Sequence, residues 1–503
     1  MSYYITTPIY YTNDVPHIGH AYTTIACDIS ARYNKINNED VHFLSGTDEH
    51  GQKVEKAAKE ANIDPIKFVD KLSMNFEKLI PNLGCEINDF VRTTEQRHIN
   101  AAQALWNKLF EKNHIYLSNY EGWYSVRDEA FYQESELNKI DGKYITKDGS
   151  PVDWVKEESY FFKLSEWQDR LIDYYQKNHP IYPESRYNEV LSFVKGGLKD
   201  LSISRTTFNW GIPVPNNKDH VMYVWIDALC NYLTSIGYPD INNHKFKKFW
   251  PAIHVVGKDI LRFHAVYWPA FLMAAELDPP KKIFAHGWWT NDGQKISKSL
   301  GNVIDPYEII DKYGLDQTRY FLFREVPFGN DGNFSKKSIA TRVNADLSNN
   351  YGNLIQRIST FIVKNCDSKI SPSSNFIDED NRLIEFIKKV TEKYFDHMNN
   401  MRISMAIEEV MNLLSEANAY VNSQAPWKLK SDDPERMKVT LFLVLNIVIK
   451  SSIMLFPIIP KSSTKALSFF NMKKDQISFN NLSTLITSEI KINNPEPLFP
   501  RIE

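Results

Sequence analysis

The sequence predicts an α/β protein whose mostly parallel sheet is split by an inserted segment and followed by an all-α, helical-bundle C-terminal region. Three observations predict it. Short β-prone runs alternate with amphipathic helices from the N-terminus to about residue 112. The pattern then changes over 115–215 to aromatic alternating strands and Asp-Gly turn signals, and the first rhythm resumes up to residue 275. From about residue 336 to the end, helical periodicity dominates. A chain of 503 residues also exceeds what one core usually organises, so several domains are expected.

Taken in order, residues 3–7 read as a strand, Ile18, Tyr22, Ile25, Ile29 and Tyr33 recur at helical spacing, and 41–48 read as a second strand. That is a βαβ opening of the nucleotide-binding kind. Helices are predicted over 52–61 and 65–79, a strand near 90–94 and a long helix over 95–112. After the insertion come a strand at 221–224, a helix over 226–236, a strand at 253–256 and a helix over 259–275. Turn breaks at 371–374, 431–434 and 457–463 divide the C-terminal helices. The apolar run 439–460 contains Asn446, Lys450 and Pro457, so a buried core helix is predicted rather than a membrane span. No internal repeat is evident.

Composition narrows the class. The chain is 43% apolar and 24% charged, which suits an ordered globular protein. A net charge of -3 gives no global attraction for a polyanion, so a nucleic-acid surface would have to be a local basic patch. No leader or presequence pattern precedes the first strand, which predicts a cytoplasmic location. Cys27, Cys85, Cys230 and Cys366 stand apart, offering neither a disulfide framework nor a close-set zinc signature, as in a reducing compartment.

Two motifs carry chemistry. His17-Ile18-Gly19-His20 opens the first helix directly after the first strand. A helix N-terminus offers free N–H groups to an anion, two imidazoles one turn apart add donors, and Gly19 lets a base or ribose approach closely. Alone, the pair is only suggestive: incidental surface histidines are the bland alternative, and metal ligation, lacking a third ligand at the right spacing, is a weaker one. Lys295-Ile296-Ser297-Lys298-Ser299 lies in a loop over 291–302. Its lysines and hydroxyls suit a leaving pyrophosphate, the bland alternative being a solvated basic turn. Gly257 and Asp259, at a strand-to-helix switch, fit ribose recognition. A carboxylate substrate is already ionised at neutral pH, so its attack on the α-phosphate of ATP needs no general base. Catalysis reduces to positioning and charge stabilisation, which His17, His20, Lys295 and Lys298 could supply, with Mg2+ arriving on the ATP.

With these motifs the chain resembles the class I aminoacyl-tRNA synthetases, whose HIGH and KMSKS signatures match 17–20 and 295–299, and among them the methionyl-tRNA synthetase family. The blocks carrying the resemblance are Pro8-Ile9-Tyr10-Tyr11, residues 46–51 (GTDEHG), residues 224–228 (VWIDA), residues 254–259 (HVVGKD) and Ala425-Pro426-Trp427. It implies a Rossmann-type catalytic domain in two halves, 1–115 and 216–275, around a connective insertion, 116–215. It further implies a stem-contact region with the KMSKS-type loop, 276–335, and a helical anticodon-binding domain, 336–503. Many relatives carry a cysteine-ligated zinc knuckle in the insertion. Residues 116–215 contain no cysteine, so no structural zinc is expected. The end of the chain soon after the helical region favours a monomer.

By the same resemblance the methionine pocket consists of Ile9, Tyr11, Asp48, Trp225, Ala228, Leu229, Tyr232, Ile260 and His264. Without it, Trp225, Tyr232 and Ile260 would read as core, Asp48 as a helix cap and His264 as a core histidine. The resemblance implies L-methionine, ATP and tRNA(Met), held at its acceptor end and anticodon, as partners. Asn353, Arg357 and Trp427 match the anticodon-reading residues. The insertion is too short for the editing domain of synthetases for branched amino acids. The competing readings are a synthetase for another amino acid, a tRNA-binding relative without catalysis, and a nucleotidylyltransferase making a dinucleotide cofactor.

Overall fold

The computed structural model describes residues 2–12, 15–126, 130–140, 142–296, 302–480 and 482–502. The chain divides into two compact units. One comprises residues 2–16 and 41–286; the other comprises 17–40 and 287–503.

The first unit is built on a seven-stranded sheet. Its strands are β1 (Ser2–Thr6), β2 (Tyr10–Tyr11), β3 (Asp40–Asp48), β4 (Asp89–Arg92), β5 (Ile181–Tyr182), β6 (Ile253–Gly257) and β7 (Lys282–His286). The order is β5-β7-β6-β1-β3-β2, with β4 also on β3. Thr47 is partnered by Tyr10 of β2 and by Arg92 of β4, which places those strands on opposite sides of β3. The registers of β1 on β6, β6 on β7, β5 on β7, β2 on β3 and β4 on β3 are all parallel. Close approach is needed at Gly46, where a Cβ would stand 2.1 Å from the Val91 carbonyl oxygen.

Between β4 and β6 the chain builds a separate antiparallel sheet around the long pair Ile115–Ser125 and Asp153–Phe162. At its far end Trp123 packs on Tyr144, ring centres 4.5 Å apart, and edge-on against Trp154 at 5.1 Å. Residues 181–182 then return to the parallel sheet as its edge strand β5, a two-residue element too short to leave a signal in the sequence.

Where the sequence predicts one helix over 259–275, the structure is helical from Lys258 to Ala274 but changes type along its length, with a 3-10 turn (Lys258–Ile260), a π turn (Phe263–Tyr267) and a closing α-helix (Trp268–Ala274). Pro269 explains the π turn. It has no N–H for the carbonyl of Ala265, four residues back, and that carbonyl instead accepts the Tyr175 hydroxyl at 2.6 Å.

The second unit joins the first helix, Ile18–Ile36, to the C-terminal helices. Tyr33 donates its hydroxyl to Asn399 at 2.9 Å, and Tyr22 stacks on Phe323 with ring centres 4.8 Å apart. The longer helices are Asn353–Asn365, Asp378–Asn399, Ile403–Gln424 and Pro434–Leu455. The last is long and apolar enough to cross a membrane, but 94% of its apolar window is buried within the protein, as a core helix requires. Its buried amide and ammonium groups have partners there. Asn446 donates to the Phe442 carbonyl and accepts from the Ile486 N–H, and Lys450 donates to the Thr484 carbonyl at 2.5 Å.

Candidate active site

The two histidines of the first motif cap their own helix. His17 is the N-cap, and its Nδ1 accepts the Gly19 N–H at 3.1 Å. His20 reaches back so that its Nδ1 accepts the His17 N–H, also at 3.1 Å. The result is a capping box made of imidazoles, with ring centres 3.8 Å apart. Because each Nδ1 is an acceptor, each ring carries its proton on Nε2. Burial, and then the neighbouring His17, holds His20 well below the ordinary histidine range, so it stays neutral at pH 7. Gly19 is needed for the cap itself: a Cβ there would lie 2.9 Å from Cε1 of His17.

This turn is bonded to the base of the lysine-bearing loop. The Ile18 N–H donates to the Ile304 carbonyl at 3.1 Å, and the Asn291 side chain spans the loop by donating to the Asn302 carbonyl at 3.0 Å. Between them Trp289–Asn291 pairs with Gln294–Lys295 as a tight hairpin. Its turn residues Asp292 and Gly293 both take positive φ, 47° and 80°, as a two-residue turn of matching twist demands. Only the backbone of Lys295 is described; Ser297, Lys298 and Ser299 lie outside the described residues.

In the other unit, the residues assigned to methionine gather at the carboxyl ends of the parallel strands, where such sheets hold ligands. Asp48 ends β3 and Gly257 ends β6. Tyr11 is paired to Asp48 through β2 and meets Trp225 edge-on at 6.3 Å. Ile9 lies over Gly46, within 2.8 Å of where a Cβ would be. Trp225, Ala228, Leu229 and Tyr232 share the helix Val224–Thr234, and all four are buried. The Asp48 carbonyl accepts both the N–H and the hydroxyl of Thr12. The Asp259 carboxylate folds back over Gly257, 2.5 Å from the position a Cβ would take.

One hydrogen-bond chain sets the polarity of this box. His264 donates from Nδ1 to the Ile260 carbonyl at 3.0 Å, so its Nε2 accepts the Tyr232 hydroxyl at 2.7 Å. Burial lowers His264 to about 4, which keeps the pair uncharged. His254, beneath them, accepts at Nε2 from Trp268 and is likewise held well below the ordinary range by burial and then by His264. Phe263 stacks on Trp225 at 3.7 Å, an aromatic wall the sequence reading did not include.

These neutral histidines make stability pH-dependent. An unfolded histidine binds its proton below about 6.5, whereas His264 in the folded state resists until about 4. The unfolded state therefore binds more protons between those values. The contribution of His264 is full above 6.5 and is lost as pH falls, costing about 2 kcal/mol by pH 5. Thermal melts should show a falling melting temperature from pH 7 to pH 5, with a shallower slope in His264→Gln.

A further buried group was missed. Asp227 accepts from Nδ1 of His50 at 2.7 Å and from Nε2 of His98 at 2.8 Å. Burial alone would raise its pKa, yet the two histidines hold it down at about 2. Asp227 and His50 both stand inside the motif blocks, but partners 177 and 129 residues distant cannot be paired from spacing.

Of the anticodon candidates, Asn353 and Arg357 share the helix Asn353–Asn365. Arg357 is held by the amide oxygens of Asn418 and Asn422, at 3.2 and 3.4 Å. Trp427 is 47% exposed and so is not a core side chain. Among the described residues, no group of three or more His, Cys, Asp or Glu is placed to hold a metal ion.

The bond from Ile18 to Ile304 ties the histidine turn to the chain just after the lysine-bearing stretch, and the other unit is built on a parallel sheet. That architecture is the one expected of a class I aminoacyl-tRNA synthetase, and comparison with known proteins places the chain in that class. Residues 3–359 match the family model described as tRNA synthetases class I (M), and 370–503 match the anticodon binding domain of methionyl tRNA ligase. The methionine–tRNA ligase of Rickettsia conorii is 53% identical over 100% of this chain and 99% of its own length. That of Brucella suis is 47% identical, covering 99% and 98%. The solved structure of Mycobacterium tuberculosis methionyl-tRNA synthetase in complex with methionyl-adenylate aligns over 100% of both chains, with a TM-score of 0.96 at 44% identity. The chain belongs to the methionyl-tRNA synthetase family.

Proposed function

We infer that the protein joins methionine to tRNA(Met) in two steps. The methionine carboxylate attacks the α-phosphate of ATP, the bond to the β-phosphate breaks, and pyrophosphate leaves. A terminal ribose hydroxyl of the tRNA then attacks the adenylate carbonyl, and AMP leaves. The observation that carries this reading is the full-length match to curated methionine–tRNA ligases at about half identity.

The residue roles are those the family resemblance implies, and the chemistry is consistent with them. Asp48 pairs with the α-ammonium group, and Ile9, Tyr11, Trp225, Ala228, Leu229, Tyr232, Ile260 and His264 receive the side chain. A neutral aromatic box suits a polarisable, unbranched thioether. Gly257 and Asp259 take the ribose. The Nε2–H groups of His17 and His20 donate to phosphate oxygens as charge builds, and Lys295, Ser297 and Lys298 hold the departing pyrophosphate. ATP enters as its magnesium complex. The donor set for a zinc knuckle is missing from 116–215, so the reading includes no structural zinc; stoichiometric zinc on metal analysis would contradict it.

Residues 336–503 read the anticodon through Asn353, Arg357 and Trp427, with the exposed indole as a stacking platform for an unpaired base. The protein acts as a monomer in the cytoplasm. Trp427→Ala should reduce methionylation of tRNA(Met) about 100-fold, since stacking is worth roughly 1–3 kcal/mol per base, and leave ATP–pyrophosphate exchange unchanged. Equal loss in both assays would remove this role.

A further inference from the structure

We propose that Asp227, His50 and His98 form a positioning network for the ammonium end of the amino-acid site, fixing the turn 48–51 against the helix Val224–Thr234. The proposal rests on the reading of Asp48 given above. Two arms of chain meet at the Asp227 carboxylate. One carries Asp48 and, two residues on, His50; the other carries Trp225 and, two residues on, Asp227, followed by Ala228 and Leu229. A carboxylate only accepts, so His50 donates from Nδ1 and His98 from Nε2.

His98 stands on the neighbouring helix Gln96–Glu111, and its other nitrogen meets the Thr234 hydroxyl at 3.0 Å. Asp227 and Thr234 are seven residues apart, two turns on one face, so this imidazole sets the rotation of the helix that presents the aromatic box. The turn is fixed at its other corners by the Glu49 N–H to Thr93, the Gly51 N–H to the Trp210 carbonyl, and the Trp210 indole to the Glu49 carbonyl. His50 adds the link from the turn to the helix.

Stability alone does not explain a carboxylate with no exposure at this place. Packed apolar side chains of similar volume would serve as well, because burying a charge offsets much of what its hydrogen bonds return. What the charged group adds is direction: two bonds of fixed geometry that hold Asp48 and Trp225 at one spacing.

The test compares methionine with 4-(methylsulfanyl)butanoate, which is methionine without its ammonium group, as ligands of the full-length protein by calorimetry. His50→Leu should cut the preference for methionine about tenfold, with the affinity for the analogue changed less than about twofold. His50→Asn, whose amide N–H stands near the Nδ1–H it replaces, should restore most of it. The pair His98→Leu and His98→Gln repeats the comparison from a helix if the turn variant does not fold. Equal weakening of both ligands, or no rescue by the amide variants, would overturn the proposal. Asp48→Asn separates the layers: if it loses the preference while the histidine variants keep it, only the network fails; if it keeps the preference, the role of Asp48 fails and the network with it.

Discussion

His20→Asn is expected to lower the rate of methionine-dependent ATP–pyrophosphate exchange about 100- to 1,000-fold, the usual cost of removing one donor aimed at developing charge. Its melting temperature should stay nearly constant. The asparagine Oδ1 stands close to where Nδ1 accepts the His17 N–H, so the reciprocal cap survives. The variant removes the Nε2–H, the donor that the cap directs away from the backbone. Burial keeps His20 neutral, so the effect should persist unchanged between pH 6.5 and 8. A loss confined to KM, or a rate within threefold of the parent, would show that this nitrogen does not face the reacting phosphate.

Asp28→Ala should have the largest effect on stability, about 3–5 kcal/mol by chemical denaturation. One oxygen of Asp28 accepts from Arg32 at 2.8 Å and from Arg319 at 2.7 Å. Arg319 has no exposure and also donates to the carbonyls of Ile458 and Pro457, at 2.7 and 3.0 Å. Three segments of the second unit therefore converge on one carboxylate: the first helix, the helix Leu315–Arg324 and the turn at 457–458. Removing it takes from a guanidinium with no exposure a carboxylate that it donates to. A change below 1 kcal/mol would mean that water reaches Arg319.

The elements that hold the site were legible in the sequence where one physical signal dominated. The βαβ opening, the helix at 18–36 and the core helix at 434–455 follow from apolar periodicity and length. The histidine motif was legible as a helix start, though not as a cap in which each ring serves the other, because that requires side-chain direction. The helix at 258–274 was legible in extent, but not its 3-10 and π turns, because Pro269 was weighed less than the apolar pattern around it. Asp227 was the opposite case. It stands inside a recognised block, yet nothing about an aspartate between apolar residues tells that two histidines from distant segments close on it. Phe263 escaped for the same reason, since its stacking on Trp225 crosses 38 positions of chain.

The amino-acid dependence of pyrophosphate exchange into ATP tests the central claim, that a neutral aromatic box on the parallel sheet selects an unbranched thioether for activation. L-methionine should support exchange with a kcat/KM about 100-fold or more above that of isoleucine, leucine or valine, near the limit that a difference of one methylene and its branching allows. Exchange with isoleucine or valine at the rate of methionine, or none with methionine, would contradict it.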